Sequence, residues 1–391
     1  MRRISIFGAT GSIGESTFDL ITRAGGPQAF HTVALSGGRN LARLAQMAVA
    51  LRAEVAVTAH EDALGELQDR LAGTGVQAAA GAAAIAEAAD RPADWVMSAI
   101  VGAAGLVPGM RALAHGSTLA LANKESLVTA GPLLMATARA HGATVLPVDS
   151  EHSAIFQSLM GEDSRAVERI ILTASGGALR DWPLEALQNA TVQDALAHPN
   201  WSMGPRITID SASMFNKAME VIEAKELFGV RPDQVEVIIH PESIIHSMVG
   251  FHDGGIIAHL GMPDMRHPIG FALNYPERAP LPVARLDFAK LGQMTFRAPD
   301  LIRYPALRLA HEVMVAGGLS GAAFNAAKEV ALDQFIAGSL GFAQMSHLVE
   351  ASLSALWAQF GPTDAIPTLE DVLAMDDLTR RTARGLAAKN S

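Results

Sequence analysis

The chain of 391 residues has no cysteine. Disulfides, thiolate nucleophiles and zinc–cysteine sites are therefore excluded. Any metal must be held by oxygen or imidazole, which favours Mg2+ or Mn2+ over softer ions, with Co2+ a third candidate. Positive charge is also scarce: 30 Lys and Arg against 40 Asp and Glu leave a net charge of −10. A general nucleic-acid binder needs a basic face, so no nucleic-acid partner is expected, although a local cationic pocket is compatible with these numbers. No uninterrupted apolar run is long enough to cross a bilayer. A strand begins by about Arg3, which leaves no room for a signal or transit peptide. The expectation is a cytoplasmic protein with no membrane partner. No repeat of fixed period is visible.

What is present describes a folded protein. Hydrophobic residues make up 49% and charged residues 18%, over a length that calls for two or three domains. The first third alternates apolar strand candidates (Ile4–Phe7, Thr32–Leu35, Val55–Thr58, Trp95–Ile100, Thr118–Ala122 and Thr144–Val148) with helical patterns. That alternation predicts an α/β fold with a Rossmann-type parallel sheet. Ala78–Ala89 reads as one helix on that sheet. From about Glu168 the pattern becomes α+β. "RIILTASGG" is a strand entering a glycine turn, and "VEVIIHPESIIHSMVGFHDGGIIAHLGM" reads as neighbouring strands with a hairpin turn at Asp253-Gly254-Gly255. Prolines 276, 280, 282, 298 and 305 mark an extended linker, and only helical patterns follow. The expected division is a cofactor domain over 1–149, a catalytic domain over 150–274 with a flexible loop near 175–205, a linker over 275–303, and a helical bundle over 304–391.

The stretch "ISIFGATGSIGESTFDLI" is a buried strand, a glycine turn and a helix start. Gly8, Gly11 and Gly14 give the tight turn and close backbone approach that a pyrophosphate needs. The helix start offers unpaired N–H groups and a positive dipole end, and Thr10 and Ser12 can add hydroxyl donors. An NAD site usually ends the second strand in Asp or Glu, for the ribose 2′-hydroxyl. Here "VALSGGRN" ends in Ser36, Gly37, Gly38, Arg39 and Asn40. Arg39 would attract a 2′-phosphate, so NADPH is the expected cofactor.

Three further strand exits are polar: Asn123-Lys124-Glu125, Asp149-Ser150-Glu151 and Ser175-Gly176-Gly177. Open α/β sheets bind ligands at the carboxyl ends of their strands, although any one such cluster is more commonly loop solvation. "DSASMFNKAMEVIEAKELFG" reads as a single helix, with Asp210 or Ser211 as its cap and Gly229 as its end. Ser213, Asn216, Lys217, Glu220 and Glu223 share a face. By spacing alone that face is a wet surface with a Lys217–Glu220 pair. The same residues also supply what a phosphorylated, metal-chelating substrate needs. "AHPNWSMG" places His198, Trp201 and Met203 on a loop, where Trp201 is either a packing anchor or part of a lid. His240 and His246 read as hydrogen-bonded core histidines.

"GATGSIG", "VGAAGL", "LANKESLV", "DSEHSAIFQ", "HPNWSMG", "SASMFNKAMEVIEA" and "HPESIIHSMV" occur in this order. In them the chain resembles the 1-deoxy-D-xylulose 5-phosphate reductoisomerase family nearly end to end. "NAAKE" has Lys328 where the family often has Asn. The resemblance implies a homodimer with an N-terminal NADPH domain. It also implies rearrangement and reduction of 1-deoxy-D-xylulose 5-phosphate to 2-C-methyl-D-erythritol 4-phosphate. By motif, Asp149, Glu151 and Glu220 look like ligands of the metal. Ser175, Ser211, Asn216 and Lys217 look like phosphate contacts, and Ser150 and Lys124 look like contacts to the substrate's oxygen-bearing carbons. His198, Trp201 and Met203 belong to the closing loop. Lys124, Glu151 and His198 are the candidates for catalytic roles. Thr10, Gly11, Ser12, Ile13, Gly38, Arg39, Asn40, Asn123, Glu125 and Gly204 are the expected cofactor contacts.

Overall fold

A computed structural model describes residues 1–198, 200–201, 203–361 and 365–389. Short apolar runs make the first sheet. They are β1 (Arg2–Phe7), β2 (Phe30–Gly37), β3 (Val55–Thr58), β4 (Gln77–Ala80), β5 (Trp95–Ser98), β6 (Thr118–Leu121) and β7 (Thr144–Pro147). All pair in parallel, in the order β4-β3-β2-β1-β5-β6-β7. Parallel strands require crossovers, supplied here by α1 (Ser12–Arg23), α2 (Leu41–Ala50), α3 (Leu64–Leu71), α4 (Gly81–Ala89), α5 (Leu106–Leu113) and α6 (Lys124–Ala140). The chain then enters α7 (Ser150–Ser158). The chain leaves β1 for β2 on one side and reaches β5 on the other, which creates the crevice where such sheets take ligands. Ile4, Ile6, Leu35 and Trp95 are fully buried.

One expected element is corrected. Ala78–Ala89 is not one helix, because Ala78–Ala80 lie in β4 and the helix starts at Gly81. Alanine favours helices and is depleted in strands, but β3 supplies a ladder along which these residues pair.

The second sheet contains β8 (Val167–Ala174), β9 (Val235–Ile239), β10 (Ile245–Phe251) and β11 (Ile256–Leu260). Its order is β11-β10-β8-β9. The strands from 235 to 260 are thus not all neighbours, since β8 lies between β9 and β10, parallel to the first and antiparallel to the second. The hairpin at Asp253–Gly255 forms as expected: Gly254 has φ +85°, and Asp253 Oδ1 accepts from Gly255 N at 2.8 Å.

Helices complete the chain: α8 (Val192–Ala195), α9 (Pro205–Ala212), α10 (Phe215–Phe228), α11 (Arg266–Asn274), α12 (Phe288–Leu291), α13 (Pro305–Ala316), α14 (Ser320–Ile336), α15 (Phe342–Leu356) and α16 (Leu369–Ala387). Central α14 is buried over most of its length by its neighbours in this bundle. Fully burying a side chain such as its Phe324 contributes roughly 1.5–3 kcal/mol.

Contacts group 1–126, 134–153 and 264–284 into one unit and the remaining described residues into a second. In the first unit, α11 packs against α1, β6 and β7, and Trp95 Nε1 donates to Ala272 O at 3.0 Å. Among the described residues no helix is long and apolar enough to cross a membrane.

Candidate active site

The glycine turn between β1 and α1 works through the absence of side chains. Gly8 has φ +92°, and a Cβ on it would lie 2.4 Å from Ala99 O, at the exit of β5. A Cβ on Gly14 would lie 2.3 Å from both Gly8 O and Ala9 O. No larger residue fits either position without moving backbone. Gly11, the N-cap of α1, supplies no side-chain cap, which suits a helix start that receives a phosphate. Ser36, at the end of β2, grips this turn: its Oγ accepts from Gly8 N at 3.0 Å and its carbonyl from Ala9 N at 2.7 Å. Thr10 lies beside Gly37, where an added Cβ would be 3.0 Å from its Oγ1. The donor set and the vacant Cβ positions fit a dinucleotide.

Beyond β2, Arg39 donates to Asp62 Oδ2 at 3.0 Å, and both side chains are about two-thirds exposed. The Arg39 guanidinium holds the Asp62 carboxyl below its ordinary range. Such an exposed pair is weak and can yield to a more highly charged anion. Asn40 caps α2 by accepting from Arg43 N at 3.2 Å. Asn123 caps α6 and is buried, and its amide donates to Ile100 O at 2.6 Å, Gly102 O at 3.0 Å and Glu125 Oε2 at 2.9 Å. Its structural work is to join the exits of β5 and β6.

The acidic exit of β7 lies in the same unit. Asp149 and Glu151 bring carboxylate oxygens within 4.8 Å of one another. Lys124 Nζ lies 2.5 Å from Asp149 Oδ2, with both side chains largely buried. Ser150 Oγ donates to Glu151 Oε2 at 2.6 Å. His152, fully buried on the next turn, has Nδ1 3.9 Å from Asp149 Oδ2. Two hard oxygen donors so close together, with a lysine offsetting their charge, suit Mg2+ or Mn2+.

The second unit holds the candidates between residues 175 and 220. Gly176 and Gly177 both have positive φ after β8, and a Cβ on Gly177 would lie 2.6 Å from Ser211 O. The Ser175 turn therefore abuts the end of α9 at Ser211. Ser175 Oγ is 3.1 Å from His198 Nε2. His198 Nδ1 accepts from Trp201 N at 3.0 Å and Asn200 N at 3.2 Å. Burial, and then the positive Arg180, hold the His198 pKa below its usual value. The Trp201 ring lies 6.2 Å from that of His246. Gly204 is the N-cap of α9.

The helix expected from Asp210 onward is two helices. Met214 has φ +63°, a left-handed conformation, and breaks the chain between α9 and α10. Neither Asp210 nor Ser211 caps a start, because both lie inside α9; the αL Gly229 does end α10 as expected. Nor is the polar face wet. Lys217, Glu220 and Glu223 are buried. Lys217 Nζ donates to Glu220 Oε2, and Asn216 Nδ2 donates to Glu220 Oε1 at 2.6 Å. The expected Lys217–Glu220 pair exists, but in an environment where ionic groups persist only when paired and hydrogen-bonded.

Sequence reasoning missed the supports of this joint. Asp210 pairs with Lys328 of α14 at 3.1 Å, both buried. Arg180 donates to Ser175 O at 2.9 Å. Tyr304 donates to Gly176 O at 3.0 Å, and burial pushes its hydroxyl up to about 12, so it remains a donor. A tyrosine next to the start of a helix gives no local sign of such a role. His240 is a core histidine as expected, accepting through Nε2 from Ile244 N and Ile245 N.

Comparison with known proteins decides the family. The family model "1-deoxy-D-xylulose 5-phosphate reductoisomerase" matches residues 4–131, and models of that enzyme's C-terminal domains match 145–228 and 260–382. A Cereibacter sphaeroides 1-deoxy-D-xylulose 5-phosphate reductoisomerase is 67% identical over 390 residues, covering 99% of this chain and 98% of the relative. The chain belongs to the 1-deoxy-D-xylulose 5-phosphate reductoisomerase family. A Ruegeria reductoisomerase is 66% identical, over 97% of this chain and 96% of its own. Among solved structures, the Zymomonas mobilis reductoisomerase in complex with NADPH superposes with a TM-score of 0.91 at 45% identity, covering 99% of each chain. A reductoisomerase in complex with NADPH, fosmidomycin and magnesium gives 0.92 at 38% identity, covering 99% of this chain and 98% of that one.

Proposed function

We propose that this protein converts 1-deoxy-D-xylulose 5-phosphate to 2-C-methyl-D-erythritol 4-phosphate, with NADPH and a divalent metal, in non-mevalonate isoprenoid biosynthesis. The observation that carries this is the 67% identity to a reductoisomerase across 99% of the chain. Asp149, Glu151 and Glu220 would hold Mg2+ or Mn2+. Thr10, Gly11, Ser12, Ile13, Gly38, Arg39, Asn40, Asn123, Glu125 and Gly204 would contact NADPH. When bound, the metal supplies Lewis-acid stabilisation of negative charge on substrate oxygens and the nicotinamide supplies the reducing equivalent.

The chain's own residues bind, orient and move protons. Ser175, Ser211, Asn216 and Lys217 grip the phosphate; the close approach of Gly177 to Ser211 supports this grouping. Ser150 orients the sugar oxygens. Lys124, held beside Asp149, and Glu151 are the two groups proposed to move protons. Trp201 and Met203 cover the substrate and exclude water, which strengthens every charge interaction inside. A cytoplasmic homodimer is the proposed assembly. Edge strand β11, with Ile256 and Ile257 exposed, supports it, since an unpaired edge is a template for a second chain.

The test incubates the purified protein with 1-deoxy-D-xylulose 5-phosphate, NADPH and Mg2+. NADPH oxidation that yields 2-C-methyl-D-erythritol 4-phosphate, and that EDTA abolishes, is expected. No oxidation would refute the assignment. Turnover undiminished by EDTA would refute the metal site.

A further inference from the structure

A cavity opens in the second unit where the linker begins a strand and does not complete it. Ile239, at the end of β9, and Arg297 exchange both backbone hydrogen bonds at 2.9 Å, on the outer edge of the second sheet. The pairing is a single bridge. Two residues on, Pro299 has no N–H to offer a ladder. Between β9, the linker, α10 and α13 lies a cavity of about 400 Å3, a size usual for small-molecule sites. Val221, Val237, Leu301, Leu307 and Met314 give it apolar walls. Leu301 is still 56% exposed, so an apolar occupant would take further surface out of water.

The polar lining comes from α13 alone, as Arg308, His311 and Glu312. Arg308 is already shared, donating to Glu312 Oε1 at 2.6 Å and to Glu350 Oε1 at 2.8 Å. The second carboxylate oxygen of Glu312 accepts nothing from the described residues, and the ring nitrogens of His311 have no partner among them. Asp233 pairs with Arg231, which holds its carboxyl below the ordinary range, and His311 lies close enough to add to that. With an uncharged His311, the mouth sets three carboxylates against two guanidiniums. An anionic head would have to draw Arg308 away from two partners. A cationic head needs only the open oxygen of Glu312 and a ring nitrogen of His311.

We infer that this cavity is a binding site for an aliphatic primary amine, with its chain between β9, α10 and α13 and its ammonium at Glu312 and His311. None of the lining residues is among those proposed to hold metal, NADPH or substrate, so the site stands or falls apart from the proposed reaction. Val221 follows Glu220 on α10, and the occupant therefore rests against the helix that carries that carboxylate.

The experiment is isothermal titration of the full-length protein with octylammonium, octanoate and octanol in turn. One octylammonium per chain is expected, bound about tenfold tighter than either of the others, as a charge-assisted hydrogen bond warrants. No binding of octylammonium, equal affinity for all three, or tighter binding of octanoate overturns the inference. Glu312→Gln should weaken octylammonium about tenfold and leave octanol unchanged. Leu301→Ser should weaken both alike, because it removes part of the wall. Unchanged thermal unfolding of the two variants reports an intact fold. An octylammonium affinity untouched by Glu312→Gln overturns the head assignment, and one untouched by Leu301→Ser overturns the cavity. Displacement of the amine by 1-deoxy-D-xylulose 5-phosphate or NADPH would place it elsewhere and overturn the inference as a whole.

Discussion

The glycine turn after β1 and the joint between α9 and α10 are built by opposite means. The turn between β1 and α1 is defined by side chains that are missing, at Gly8 and Gly14, and by backbone N–H groups. The joint between α9 and α10 is defined by side chains that are charged and buried: Lys217 with Glu220, and Asp210 with Lys328. A backbone-built site depends on a local string of residues. A side-chain-built site depends on partners that the fold brings from elsewhere. Damage to the first should therefore stay confined to cofactor binding and local packing, and damage to the second should spread to stability or chemistry.

The sharpest break is Lys328→Met. It leaves the Asp210 carboxylate buried without its cation, a change that typically costs about 3–5 kcal/mol. Denaturant titration should register that loss; an unchanged midpoint would mean the pair contributes nothing. Next is Glu220→Gln, expected to lower kcat by about 100-fold or more through loss of metal-assisted charge stabilisation, while NADPH affinity in a binding titration stays within about twofold, below 0.5 kcal/mol. Full turnover would remove Glu220 from the site.

Gly14→Ala probes the other region. Its Cβ would meet two backbone carbonyls at 2.3 Å. Overpacking of this kind costs about 1–3 kcal/mol, and NADPH binding should be largely lost, as isothermal titration would record. Normal binding would show that the turn adapts. Arg39→Asp should reverse much of the preference for NADPH over NADH, measured as the ratio of the two kcat/KM values. An unchanged ratio would place 2′-phosphate recognition elsewhere. Smallest is Tyr304→Phe, which removes one buried hydrogen bond to Gly176 O, worth about 1 kcal/mol. Thermal unfolding should show a modest shift, and none would mean that water replaces the hydroxyl.

The same division governs what was legible in the sequence. The apolar runs of β1, β2, β3, β5, β6 and β7 announce themselves because strands buried on both faces are near-continuous in hydrophobic residues. Gln77–Ala80 does not, since alanine carries no strand signal and only pairing with β3 makes it one. Gly8, Gly11 and Gly14 point to a phosphate turn because spacing and context lie within one short segment. Ser36 was legible as the end of β2, but not as the residue that grips the glycine turn from 28 positions away. Met214, at φ +63°, gives no sign of a left-handed break. Lys217–Glu220 was visible as a spacing, whereas its burial was not. Lys328 lies 118 residues from Asp210, beyond any local pattern.

Asp149, Glu151 and Glu220 are proposed to act together on one cation. Titration of the NADPH-bound enzyme with Mn2+, followed by electron paramagnetic resonance, tests it most directly. One tight Mn2+ per chain is expected, lost alike in Asp149→Asn and in Glu220→Gln. Tight Mn2+ binding that survives Glu220→Gln unchanged would contradict it.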